Sequence, residues 1–419
     1  MKMNKIHYKL ILQILFFISI FNVIYAKNVD NYYKATNISN YFSGIVSFNN
    51  NEHDNAYKYL KRVGGLEETH LNYSKYYIYS LINLERINEA YNFSKELEKK
   101  NLDSFESNLI IGIYNLKNKK YAESSRYFQK LKTQSMKGSL QFLTSSSLNN
   151  WTTFQEKNSI EALKAVSEMP DQFRDIQLVL THCFYNLSST ENKFKNLVNE
   201  KNDFSRYSFF YANYLFKKKK TDHAKNVINS ALKKNPRNLL FKQMEIDLAN
   251  HSKKFSNFKN NFDCQKISNN AAEIFYIGSS LLSSQSMYSN ANFFLNLAKY
   301  LNPNFISYDT LYAENLFKMQ KYEKAKKILK KISKKGKVYN WYASRQISKI
   351  LFKQEREKEG AKYIADKFYN IKNPSIYEIY DFANFLKNNE RFDEAIINYS
   401  KLLKMINFED DIYSSVTEG

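Results

Sequence analysis

His182 and Cys183 are the side chains in this sequence best suited by type to nucleophilic or metal-binding work. A thiolate paired with an imidazole is a strong nucleophile, and the same two groups are good metal ligands. Neighbouring residues on a helix point about 100° apart, so these two cannot face one ligand. A buried cysteine beside a boundary histidine is the reading they support. The carboxylate pairs Glu67–Glu68 and Asp410–Asp411 fall in segments expected to join helices or to form the tail, where they are solvated. His53, His70, His223 and His251 are scattered along the chain. No phosphate-cradling glycine loop, Gly-x-Ser-x-Gly, His-Glu-x-x-His or Cys-x-x-Cys occurs. The expectation is a non-enzymatic protein with no catalytic residue, no metal site and no cofactor.

Basic residues offer binding chemistry instead. Lys217 to Lys220 occupy one short turn, where charge serves solvation. Between Lys318 and Lys337 stand ten lysines and one acid, Glu323. Lys324, Lys327, Lys331, Lys334 and Lys335 would there form a patch able to meet phospholipid headgroups; a solvated convex face is the competing reading. The net charge of +22 raises nucleic acid, an anionic membrane or an acidic protein as partners. The abundance of Lys, Asn, Tyr, Phe and Ile, typical of AT-rich coding, accounts for the surplus without selection for binding.

Export weighs more than charge. Met1 to Ala26 have the form of a secretory signal: Lys2, Lys5 and Lys9, then a largely apolar stretch from Leu10 to Val23, then Ala26 as the small residue at cleavage. Ile24 is bulky for that cleavage, so an uncleaved membrane anchor is the alternative. The expected location is outside the cytoplasm, in a bacterial periplasm, which removes nucleic acid as a partner.

The positions of small residues expose a period. Ala56, Ala90 and Ser124 are 34 residues apart, and Ala224, Ala291, Ala325, Ala361 and Ala395 follow at 67, 34, 36 and 34. Weak anchors near Asn158 and Asn192 fill the gap, giving eleven units. Gly44, Gly112 and Gly278 hold a second small place, where a missing side chain lets a neighbouring helix approach. Pro170, Pro236, Pro303 and Pro374 each fall 12 or 13 residues after an anchor, where a helix can stop. The segment Arg206 to Pro236 shows the pattern apart from Ser208, which stands where a large residue is expected: Tyr211, Ala212, Tyr214 and Leu215 on one helix, a polar turn, then Ala224, Ile228 and Ala231 on another.

This pattern resembles the tetratricopeptide repeat. The resemblance implies an all-α, right-handed α-solenoid of about eleven helix hairpins over residues 36–405. A polar lead-in spans 27–35, and 406–419 is either a tail or the start of a further repeat of a longer array. Phe382, Ala383 and Leu386 should pack on Ala395, Tyr399 and Leu402, with Phe392 plugging the turn. Such arrays grip a protein or peptide on the face built from first helices. Copy by copy that face reads Tyr41 with Ile45, Lys75 with Tyr79, Phe209 with Asn213, Phe275 with Ser279, Thr310 with Glu314, and Tyr380 with Asn384. Aromatic rings supply apolar area and amides can bond an extended backbone. The same spacing places Cys183 and Cys264 more than two repeats apart, so two unpaired thiols are expected. The functional reading is an exported interaction scaffold, or alternatively a cationic tether at an anionic membrane.

Overall fold

The structure, a computed structural model, describes residues 35–169, 171–199, 205–249, 261–410 and 412–418. The expected signal at 1–26, the lead-in through 34 and Pro170 lie outside the described residues. The chain divides after Met136 into two units, and all regular structure among the described residues is helical.

The first unit contains three hairpins. They are α1 (Ala35–Asn49) with α2 (His53–Leu60), α3 (Leu71–Asn83) with α4 (Ile87–Lys99), and α5 (Phe105–Lys117) with α6 (Tyr121–Gln134). Why these segments pair is visible at the glycines. A Cβ at Gly44 would lie 2.6 Å from Leu60, and one at Gly112 would lie 2.6 Å from the Phe128 ring. In both cases the partner stands 16 residues on, so the missing side chain sets the distance of closest approach within a hairpin. On the second helix the anchor and the residues four and seven later turn inward together: Ala56, Leu60 and Val63, then Ala90, Ser94 and Leu97. Neighbouring hairpins are tied by side chains about one period apart. Tyr57 donates to Glu89, Tyr127 donates to Glu98, and Lys100 bonds Glu67 at 2.8 Å.

The second unit contains α7 (Leu140–Thr153), α8 (Ser159–Ser167), α9 (Asp171–Phe184), α10 (Thr190–Asn199), α11 (Ser205–Lys217), α12 (Thr221–Lys234) and α13 (Leu239–Ala249). It continues with α14 (Ile267–Ser284), α15 (Tyr288–Leu301), α16 (Ser307–Lys318), α17 (Tyr322–Ile332), α18 (Lys337–Lys353), α19 (Glu357–Tyr369), α20 (Ile376–Asn388), α21 (Phe392–Leu403) and the short α22 (Tyr413–Thr417). Three helices start with a reciprocal cap: Ser104 and Ser375 at first helices, and Asn158 at a second helix, each pair with the residue three later. That corrects the weak anchors. Asn158 is a cap and Asn192 is exposed; the buried anchors are Ala162 and Thr190. Gly360, not Ala361, is the anchor of α19, since it is buried and its carbonyl accepts from Ser348 twelve residues earlier. Pro236 and Pro303 lie two residues past α12 and α15, and Pro374 lies two before α20. The core of the last hairpin joins Phe382, Ala383, Leu386, Ala395, Tyr399 and Leu402, with Ile412 and Val416 added from α22 and the turn before it. Phe392 is 56% exposed and plugs nothing, because it opens α21 on the outer side.

Ten hairpin and linker turns repeat one backbone device. Asn51, Glu85, Asn101, Lys119, Asn186, Lys219, Ser286, Gln320, Glu355 and Glu390 all take a left-handed φ of 54–61°. In each case the following N–H reaches back five residues to a helix carbonyl, as Arg86 does to Leu81 at 2.9 Å and Lys321 to Leu316 at 2.8 Å. This is the Schellman closure of a helix, here built without glycine.

The second unit departs from simple neighbour stacking. α14 packs against α7 as well as α15, and α13 packs against α18. The reason lies in α14 itself, whose 18 residues hold one charge and bury Ile267, Ala271, Ile274 and Phe275 on several sides. A helix with buried residues on several sides needs more than one neighbour to cover it. Gly336 marks the other close approach. Its φ is 152°, and a Cβ there would stand 2.1 Å from Gln243 of α13. The Gln243 side-chain oxygen accepts from Val338 N–H at 3.1 Å.

This return of the chain overturns the expectation of unpaired thiols. Cys183 at the end of α9 and Cys264 just before α14 form a disulfide, with Cα atoms 5.8 Å apart. Spacing along an ideal array separates them; the packing of α14 back into the unit brings them together.

Candidate functional site

In the first unit the expected groove positions stand on adjacent first helices and remain partly open. Lys75 and Tyr79 lie one turn apart on α3, with the Lys75 ammonium 6.0 Å from the Tyr79 ring centre and 3.9 Å from Glu106. Burial, with the Glu106 carboxylate beside it, holds the Tyr79 hydroxyl pKa well above its ordinary value. Phe48 of α1 lies 4.7 Å from Tyr76 and 6.0 Å from Tyr79, joining the two helices by their rings. Tyr41 leans on His70 at 4.9 Å, and Ile45 is half-buried.

The second unit splits the expected set. Phe209, Asn213, Phe275 and Ser279 are buried and closed to any ligand. Phe209 stacks on Phe305 at 5.5 Å, and Phe275 meets the edge of Phe294 at 5.5 Å. Beside them Arg206 of α11 grips Glu273 of α14 through two bonds of 2.7 and 2.6 Å. The guanidinium sits within a cage of rings: Tyr276 at 3.5 Å, Phe305 at 4.3 Å, Phe210 at 5.3 Å and Tyr308 at 5.9 Å. The ion pair and its rings occupy the space where a groove would run. Burial and the Glu273 charge push the Tyr207 hydroxyl far above its ordinary pKa, so it stays a donor.

Glu314, Tyr380 and Asn384 remain accessible. Thr310 is half-buried on α16; Glu314 there is exposed and accepts from the Tyr342 hydroxyl at 2.9 Å. Asn384 already serves the fold, accepting from Tyr399 at 2.9 Å and donating to the Tyr380 carbonyl at 3.0 Å.

Next to Tyr380 lies a constellation that periodicity does not reveal. The Asp381 carboxylate, 8% exposed, accepts from Arg237 at 3.2 Å, Arg345 at 2.5 Å and the Trp341 indole at 3.1 Å. Two guanidinium groups thus share one carboxylate, leaving a surplus of one positive charge. Each arginine is about 40% exposed and carries five N–H donors, more than Asp381 can accept. Arg237 lies 5.0 Å from the Tyr380 ring and 5.5 Å from Tyr377, over which Lys242 also stands at 5.6 Å. The arrangement can receive a carboxylate or an acidic side chain while its rings cover an apolar one. Asp381 adjoins a named groove residue, but Arg237 precedes it by 144 positions and joins it only through the return of α13 against α18.

Lys324, Lys327, Lys331, Lys334 and Lys335 are all exposed on α17 and the 3-10 turn after it, while Ala325, Leu329 and Ile332 face inward. Lys326 turns aside to Glu323 at 2.6 Å. Among the described residues no group of three His, Cys, Asp or Glu side chains could hold a metal ion, and no described helix is long and apolar enough to cross a membrane.

No protein-family model matches the sequence, and no curated protein matches it. Among solved structures the chain is similar to the crystal structure of yeast Tom70, at 14% identity over 99% of this chain and 100% of that one, with a TM-score of 0.25. It is also similar to the crystal structure of the APC/C hetero-tetramer Cut9–Hcn1, at 10% identity over 92% and 83% of the two chains, with a TM-score of 0.29. At those scores the architecture rests on the hairpins themselves, and they make this chain an all-α array of stacked helix pairs.

Proposed function

We propose that this protein is an exported interaction scaffold of the tetratricopeptide type that holds an acid-bearing peptide or helical segment of a partner protein. The Arg237–Asp381–Arg345 cluster beside Tyr377 and Tyr380 carries the reading. It joins surplus charge to half-open rings on a first helix, whereas the equivalent places around Phe209 and Phe275 are filled. The Cys183–Cys264 disulfide supports export, because such bonds persist in oxidising compartments. The test is binding of an extended peptide alternating Glu with Phe, followed by calorimetry at low and high salt. Replacing both Arg237 and Arg345 by Ala should weaken binding about 10- to 100-fold, since a hydrogen bond to a charged group contributes roughly 1.5–3 kcal/mol. Unchanged affinity in that variant would defeat the reading.

A second reading follows from the exposed lysine row: contact with an anionic membrane surface, at up to about 1 kcal/mol per lysine. Flotation with phosphatidylglycerol vesicles measures it. Binding should fall with salt and with Gln in place of Lys324, Lys327, Lys331, Lys334 and Lys335.

A further inference from the structure

The Arg237–Asp381–Arg345 cluster is assembled from three segments, one of which arrives from far along the chain. Trp341 and Arg345 stand one turn apart on α18, and Asp381 stands on α20 with Tyr377 and Tyr380. Arg237 lies in the turn ahead of α13, between Pro236 and Asn238. Proline fixes the backbone on one side of it. On the other side the Asn238 side-chain oxygen accepts from the Leu240 and Phe241 N–H groups at 3.1 and 3.2 Å, capping α13. The backbone at Arg237 therefore moves with α13, and whatever seats α13 seats the guanidinium.

The ion pair with Asp381 is a weak seat. Arg237 is 42% exposed, and pairs open to solvent hold little. A buried residue of α13, Gln243, reaches α18 instead. Its side-chain oxygen accepts from the Val338 N–H at 3.1 Å, and its amide donates to Asp247 at 3.0 Å. Val338 lies in the first turn of α18, where an N–H finds no partner within its own helix. Trp341 and Arg345 follow one and two turns further on, so this bond ties α13 to the helix that carries the other donors to Asp381. Gly336 leaves the space for it, since a Cβ there would stand 2.1 Å from the Gln243 side chain.

We infer that Gln243 is the positioning residue of this cluster. At 2% exposure it is out of a ligand's reach, yet it holds α13 on α18 and so sets Arg237 against Asp381 and the Tyr377 and Tyr380 rings. A binding constellation needs its members held to within about 0.5 Å by such supporting contacts. The consequence for affinity rests on the acid-binding reading proposed above; the geometry does not.

The test is Gln243→Met in the full chain, which keeps the length of the side chain and removes both of its bonds. A circular-dichroism melt checks folding; if the variant melts early, Asp247→Ala, which frees only the Gln243 amide, should give the same pattern at smaller amplitude. The crystal structure of the variant should show Arg237 no longer bonded to Asp381. Calorimetry with the peptide alternating Glu and Phe should show about a 10-fold loss of affinity, the share of one charged hydrogen bond. That loss should persist in an Arg345→Ala background and vanish in an Arg237→Ala background, which a general weakening of the fold would not produce. Two results overturn the inference: Arg237 still 3.2 Å from Asp381 in the variant structure, or an equal loss in both backgrounds. Arg237→Ala binding as tightly as the parent defeats the acid-binding reading instead, and the variant structure then decides the role of Gln243 alone.

Discussion

Residues 35–136 and 137–418 are built from the same hairpin and hold together differently. In the first unit the ties between hairpins are local, spanning about one period or less, as from Lys100 to Glu67 or from the Tyr73 hydroxyl to the Leu60 carbonyl. In the second, Arg206 reaches Glu273 across 67 positions, Cys183 reaches Cys264 across 81, and Arg237 reaches Asp381 across 144. The first is stabilised as a sum of neighbour terms. The second is closed by long-range contacts that are each made once, so losing one should damage the whole unit.

The largest effect should come from Glu273→Ala. It leaves Arg206 buried and unpaired, and breaking such a pair costs about 3–5 kcal/mol. Urea unfolding followed by hydrogen exchange should place the loss in 137–418 and spare 35–136. Replacing both partners, as Arg206→Met with Glu273→Leu, should recover most of it. Next is removal of the disulfide by Cys183→Ser, at about 2–4 kcal/mol; reducing agent should lower the melting temperature of the parent protein and leave that of the variant unchanged. Gly112→Ala probes the other unit. Its new Cβ must displace the Phe128 ring, and overpacking of this kind costs about 1–3 kcal/mol, confined by exchange to 35–136.

The smallest effect is acid sensitivity of the first unit's ties. Burial raises the Asp103 pKa, but the Lys130 ammonium and the Asn108 amide outweigh it and hold the group below its ordinary value. Glu98, bonded by Lys95 and Tyr127, and Glu67, bonded by Lys100, are lowered in the same way against burial. A carboxylate with a lower pKa folded than unfolded stabilises fully above the unfolded value and loses that contribution as pH falls through the folded one. Amide protection around α4 and α6, corrected for the intrinsic exchange rate, should therefore be constant above roughly pH 5 and fall below about pH 4. Acceleration on raising pH from 5 to 7, beyond the intrinsic rate, would contradict the assignment.

What could be read in advance follows the same division. Ala56, Ala90 and Ser124 announce the first unit because each contact there is local and repeats with the residue types that permit it. The glycines at 44, 112 and 278 were legible for the same reason, since close approach demands a small residue. Where tight spacing lapses, between Ser124 and Ala224, the expected anchors missed Ala162 by four positions and Thr190 by two. Burial there is carried by residue types with no fixed interval. The disulfide, the caged Arg206 and the Arg237–Asp381–Arg345 cluster were invisible because they depend on α14 and α13 returning to earlier or later helices. Amphipathic period alone does not say which helix will cover a face. Two of the six expected groove pairs, Phe209 with Asn213 and Phe275 with Ser279, were lost to burial in the second unit.

The left-handed turn residues have a consequence for how this protein could be hardened. Asn, Glu, Lys, Ser and Gln fill a backbone conformation that disfavours side chains by roughly 1–2 kcal/mol in L-residues. Glycine would relieve that while giving back about 0.5–1 kcal/mol through the looser unfolded chain. The ten sites are spread over the array, and distant substitutions add. Glycine introduced turn by turn is thus a graded dial on rigidity, one that leaves every helix face, and so every binding surface, as it was.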